Sequence, residues 1–159
     1  MLTLMDGFTK FAAVFPLRTK RAREVTEALV ITLSGVFGGA PLRIICDRGT
    51  EFIARCTRTT MKLMGHSIEF IPADLHQANL VERFHRTLTS MIQAVRTEGV
   101  TRWVTAVQLA VQHYNQAKHS STGFAPVALH LGVERKHPGM LAPKGQEAGP
   151  INYADMDQY

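Results

Sequence analysis

The chain has 159 residues and is 45% hydrophobic, enough for one domain with an ordinary core and too apolar for a disordered polypeptide. Lysine and arginine outnumber aspartate and glutamate by 18 to 13, a balance that suits a polyanionic partner. Cys46 and Cys56 are too few for a disulfide framework and form no zinc-type ligand set with His66, His76, His85, His113 and His119. No apolar run reaches transmembrane length, and residues 1–5 are too short for a signal peptide, so an intracellular, reducing compartment is expected.

Leu2 to Met5 reads as a strand, Asp6-Gly7-Phe8-Thr9-Lys10 as turn chemistry, and 11–15 as the returning strand of a hairpin closed by Pro16. The stripe Ala22, Val25, Leu29, Leu33, Val36 predicts a helix over roughly 20–37, capped by Thr19 and stopped by Gly38, Gly39 and Pro41. Arg43 to Cys46 is expected as a buried strand with Cys46 a small core residue. A helix over 51–64 ends at Gly65, and 67–71 is a further strand closed by Pro72. After the polar loop 73–79, the helix over 80–97 carries the cleanest stripe: Val81, Phe84, Leu88, Met91, Val95. Thr101 is expected to cap the next helix, whose stripe of Trp103, Val107, Ala110, Val111 and Tyr114 makes Trp103 a core residue. Pro126 starts a short last helix that Gly132 ends. The order β-β-α-β-α-β-α-α-α is that of an α/β layer fold with a mixed sheet. From Val133 onward, Pro138, Pro143 and Pro150 accompany no periodicity, so 133–159 is expected to be a loosely ordered tail.

Two carboxylates stand out in this order. Asp47 ends the apolar run Arg43-Ile44-Ile45-Cys46, and Glu82 opens the amphipathic helix. A carboxylate at a strand's C-terminal end and another on a helix face form an arrangement able to hold a hard divalent cation, which phosphoryl-transfer enzymes acting on nucleic acid use to stabilise attacking and leaving oxygens. Both residues also have plainer uses. Asp47 can accept backbone N–H bonds at the strand-to-helix junction, and Glu82 can pair with Arg86 at i,i+4.

The stretch Asp47-Arg-Gly-Thr-Glu-Phe52, then His76-Gln-Ala-Asn-Leu-Val-Glu-Arg-Phe-His-Arg-Thr-Leu88, resembles the integrase catalytic core of retroviruses and long-terminal-repeat retrotransposons. Tyr114-Asn115 followed by His119-Ser-Ser-Thr-Gly-Phe-Ala-Pro126 is similar to the signature that ends that core. The opening Leu4-Met-Asp-Gly-Phe-Thr-Lys-Phe11 and Phe15-Pro-Leu17 resemble its second and third strands. The resemblance implies a ribonuclease H-like mixed sheet flanked by helices over 1–132, and a site in which two aspartates and one glutamate bind Mg²⁺ or Mn²⁺ to process and join DNA ends. Asp47 matches the second aspartate and Glu82 the glutamate. The first aspartate belongs to a strand that precedes the hairpin, and here the hairpin starts at residue 2, so the expected core lacks its first strand and one catalytic carboxylate. Asp6 aligns with a turn-forming aspartate at the end of the family's second strand; a turn role is its expected one, and service as a third carboxylate the alternative. The chain also departs from the family around Glu82: the Pro and Gly common in the preceding loop are absent, and the span from Asp47 to Glu82 is one residue short.

DNA is the partner the resemblance implies, held through phosphates with little sequence preference by Arg86, Arg83, Arg48 and Gln77. A homo-oligomer, a nuclear or cytoplasmic location and no membrane association complete the expectation. The alternative is a catalytically dead fragment that acts as a DNA- or protein-binding module.

Overall fold

The structure, a computed structural model, describes residues 1–39, 43–71 and 80–132. Strands β1 (Leu2–Met5) and β2 (Ala12–Phe15) form the antiparallel hairpin, with Leu2 opposite Phe15 and Met5 opposite Ala12. Helix α1 (Ala22–Gly35) leads to β3 (Arg43–Cys46). Helices α2 (Thr50–Ile53) and α3 (Arg55–Leu63) then precede β4 (Ser67–Phe70), which pairs with β3 in parallel. Helices α4 (Leu80–Thr97), α5 (Trp103–Gln116) and α6 (Pro126–Leu131) follow. The expected tail, 133–159, lies outside the described residues.

Alternation along the hairpin sorts the helices into two layers. Leu2, Leu4 and Phe15 point to one face and pack with Val25, Leu29, Leu33 of α1 and Met61 of α3. Met5, Ala12 and Val14 point to the other and pack with Phe84 and Leu88 of α4 and with Val107, Ala110 and Val111 of α5. The hairpin is therefore covered on both faces, and each face owns a separate hydrophobic cluster.

The sheet itself is divided. Among the described residues, β1–β2 and β3–β4 are two two-stranded sheets with no ladder between them. The outer edge of β2 is closed by α5: Asn115, 7% exposed, accepts from the Ala12 N–H at 2.9 Å and donates to the Ala12 C=O at 2.8 Å, while Gln108 donates to the Val14 C=O. Since Ala12 faces α5, its partner Met5 turns its own N–H and C=O away from β2, as does Thr3 two residues back. On the other sheet the Cys46 C=O accepts from Ile71 N–H, so Cys46 and Ile44 face β4 and the main-chain groups of Arg43 and Ile45 face outward. The two free edges line one groove of about 360 Å³ together with Leu29, Leu33 and Phe52. Phe37, just past α1, meets Phe11 of the hairpin turn at 6.0 Å between ring centroids.

This arrangement corrects the expectation of a buried third strand. Arg43 is exposed, Cys46 is partly buried, and Ile45 is 57% exposed, because α4 and α5 cover the hairpin and leave the matching face of β3–β4 open. Three helix ends also differ. Thr19 does not cap α1; its N–H and hydroxyl instead donate to Glu24 at 2.8 and 2.5 Å, as does the Arg18 N–H, and these bonds hold the Glu24 carboxyl below its usual range. The expected helix over 51–64 is two helices, because Ala54 is extended (φ −53, ψ 139) and the Glu51 C=O is taken by the Thr57 hydroxyl at 2.7 Å instead of continuing the helical ladder. Arg102, not Thr101, occupies the N-cap of α5, without a side-chain cap bond, and Trp103 is 45% exposed, since the buried face of α5 starts only at Ala106.

The Asn115 clamp sets the first expectation. Asn115→Ala leaves a buried N–H and C=O of Ala12 without their side-chain partner and is expected to lower unfolding free energy by on the order of 2 kcal/mol, read from urea unfolding. A variant within about 0.5 kcal/mol of the parent would show that the clamp does not hold the edge.

Candidate active site and nucleic-acid interface

Asp47 stands one residue past β3 and is exposed. Its Oδ1 accepts the Gly49 N–H at 3.0 Å, so the backbone-binding use read from the sequence is present. Gly49 sits close to both carboxylates: a Cβ there would lie 3.0 Å from Glu51 Oε2 and 3.1 Å from Asp47 Oδ1, so those side chains would have to shift slightly. Beside them, the Cys46 thiol is pushed up to about 11 by burial, with the negative charges of Asp47 and Glu51 adding to it. It is a neutral packing group and not a nucleophile.

Glu82 lies in the first turn of α4, where the helix dipole favours an anion, and is exposed. It makes no ion pair with Arg86; the ion pairs among the described residues are Arg23–Glu27 and Arg43–Glu69. One turn on, His85 Nε2 meets the Thr3 hydroxyl of β1 at 2.9 Å. Partial burial, then the positive amino terminus, hold His85 below the usual imidazole range, while the Glu82 carboxylate pulls the other way. This contact fixes α4 against the start of β1, a role that reading the sequence missed. Cys46 of β3 and Leu80 and Val81 of α4 line the same groove, so the strand end carrying Asp47 and the helix start carrying Glu82 open onto one region.

Asp6 follows β1 at the hairpin turn and lines the same groove. Its carboxylate accepts from Phe8 N–H at 3.3 Å, Thr9 N–H at 3.0 Å and Thr9 Oγ1 at 2.5 Å. Burial alone would raise its pKa, but the bonds from Thr9 and Phe8 outweigh it and hold the carboxyl below its usual range. Three bonds from the turn occupy most of its roughly four acceptor sites.

Arg48, Arg83 and Arg86 are exposed and unpaired among the described residues. Gln77 and His76 lie outside the described residues. No group of three or more His, Cys, Asp or Glu that could hold a metal ion forms among the described residues. Asp47 and Glu82 are suitable oxygen donors for a hard cation, yet two carboxylates do not make the three-carboxylate set of a two-ion centre. No helix among the described residues is long and apolar enough to cross a membrane.

The fold is that of a retroviral integrase catalytic core, a ribonuclease H-like α/β architecture. The catalytic core of HTLV-2 integrase, solved in complex with magnesium in a trimeric form, superposes with a TM-score of 0.70 at 18% identity, covering 80% of this chain and 82% of that one. The catalytic core of BIV integrase gives 0.68 at 19% identity over the same shares. In sequence the chain is similar to the retrovirus-related Pol polyprotein from transposon opus of Drosophila melanogaster, 28% identical over 127 residues, covering 79% of this chain and 12% of that one. It is also 26% identical over 145 residues to the transposon Tf2-3 polyprotein of Schizosaccharomyces pombe, covering 88% of this chain and 10% of that one. The chain thus spans about a tenth of the length of these curated relatives. No family model matches it.

Proposed function

We propose that this chain is an integrase-type core of retrotransposon origin whose ancestral role is metal-dependent joining of DNA strands, and whose own surface binds duplex DNA through phosphates. The observation that carries this reading is the set of exposed, unpaired Arg48, Arg83 and Arg86 around the strand end and helix start that present Asp47 and Glu82. A divalent cation at those two carboxylates would supply charge neutralisation to phosphate oxygens. The arginines position the backbone and read no bases.

Labelled duplex DNA titrated at several salt concentrations tests the reading. Affinity is expected to fall steeply with salt, and the double variant Arg83→Ala/Arg86→Ala is expected to weaken binding to all sequences alike and to flatten the log–log salt slope by roughly one to two units. Binding by the double variant equal to that of the parent, or parental binding indifferent to salt, sinks this surface. The second reading, a non-catalytic protein-binding module, would then be preferred; the apolar groove between two unpaired strand edges is the observation that favours it.

A further inference from the structure

We propose that the groove between β1 and β3 takes an extended apolar peptide from another protein, which inserts as a central strand and joins the two small sheets into one. The proposal rests on the protein-binding reading above, commits it to one kind of occupant, and is independent of the DNA surface.

The main chain of the two walls says what fits between them. Thr3 and Met5 on one wall, and Arg43 and Ile45 on the other, turn their N–H and C=O groups away from their own sheets, and no ladder takes them up among the described residues. A helix or a small apolar molecule would cover these groups without pairing them, whereas an extended backbone answers them one for one. Successive residues of a strand direct their main-chain groups to opposite sides. One inserted strand therefore serves both walls, alternate residues bonding β1 and those between them bonding β3. Each wall is four residues long, roughly 13 Å at about 3.3 Å per residue, which sets an occupant of about five residues.

The lining sets the occupant's side chains. Leu29, Leu33 and Phe52 face the groove from the layer of α1, and Leu80 and Val81 from the start of α4. Its charged lining residues are Asp6, just past the last residue of β1, and Arg43, the first of β3, so the middle of each wall carries no charge. A strand covered on both faces is a continuous run of apolar, β-branched residues and not an alternating one. Ile45, 57% exposed on the groove wall, is the side chain such a strand would cover. Addition to one wall alone would bury the polar groups of the other without partners, a cost that insertion avoids.

The test uses the full chain and a dye-labelled peptide, Lys-Val-Ile-Val-Ile-Val-Lys, followed by fluorescence anisotropy and by amide hydrogen exchange. Binding is expected, with exchange slowed at least about tenfold at the outward amides of both walls, Thr3 and Met5 as well as Arg43 and Ile45. Two further peptides, N-methylated at odd or at even positions, each lose their donors to one wall, and both are expected to bind at least about tenfold more weakly. A peptide lying on a single edge would keep one methylated form at full affinity. Ile45→Pro deletes one groove-facing N–H without touching the ladder to β4, and is expected to weaken binding severalfold in a chain that still melts cooperatively. No binding at about 1 mM peptide overturns the proposal together with the protein-binding reading of this groove. Full binding by either methylated form, or protection of one wall alone, overturns insertion and leaves that reading in place.

Discussion

With Mg²⁺ and a duplex carrying processable ends, this 159-residue chain is expected to give no detectable end processing or strand transfer. Metal ions in such centres supply several kcal/mol of charge stabilisation to the transition state, and each 1.36 kcal/mol is about tenfold in rate. A centre that offers two carboxylates in place of three is thus expected to be slower by at least about a thousandfold. The Asp6 carboxylate is engaged by Thr9 and Phe8 in the hairpin turn, so service as a metal ligand would compete with those bonds. The informative variant is Asp6→Asn, which keeps an acceptor for the turn while removing the charge. Clear turnover in the parent that disappears in Asp6→Asn would overturn the turn assignment and make Asp6 a ligand.

The divided sheet leads to the second large effect. β1 and β3 each present unpaired N–H and C=O groups to the same groove, and Ile45 exposes 57% of its surface next to it. Unprotected edges of this kind pair with other chains. The isolated protein is expected to self-associate at micromolar concentration, with most of the material sedimenting above the monomer. Ile45→Lys, which places a charge beside the edge without touching either hydrophobic cluster, is expected to raise the monomer fraction severalfold. A monodisperse, cooperatively melting parent monomer would show that the edges are not available.

Much of this architecture is legible in the sequence where periodicity and punctuation agree. α4 begins at Leu80 and ends at Thr97 as its stripe requires, burying Phe84, Leu88 and Val95. α6 starts at Pro126 and closes on Gly132 in the left-handed region at φ 66. The hairpin follows from turn chemistry at Asp6 and Gly7. What misleads is anything decided by a distant neighbour. Ile44-Ile45-Cys46 reads as buried on both faces, and only the tertiary arrangement shows that the α4–α5 layer stops short of it. The break at Ala54 depends on a hydroxyl six residues from the carbonyl it takes. Asn115 shares the apolar face of Val111 four residues earlier, a signal that a polar side chain was being buried for a main-chain partner, but not which one. For the candidate site, Asp47 and Glu82 follow from a strand end and a helix start. The contact of His85 with Thr3 joins residues 82 positions apart and leaves no local trace.

The Asn115 clamp has a consequence for synthesis. Ala12 leaves the ribosome 103 positions before the side chain that closes its edge, a delay of roughly 5 to 20 s at about 5–20 residues per second. The cluster joining Leu2, α1 and α3 needs nothing beyond β4 and can assemble early. The other face of the hairpin stays uncovered until α4 and α5 emerge. The nascent chain therefore passes through a half-built stage in which the same hairpin is docked on one side and bare on the other, and holdase chaperones have their clearest target there.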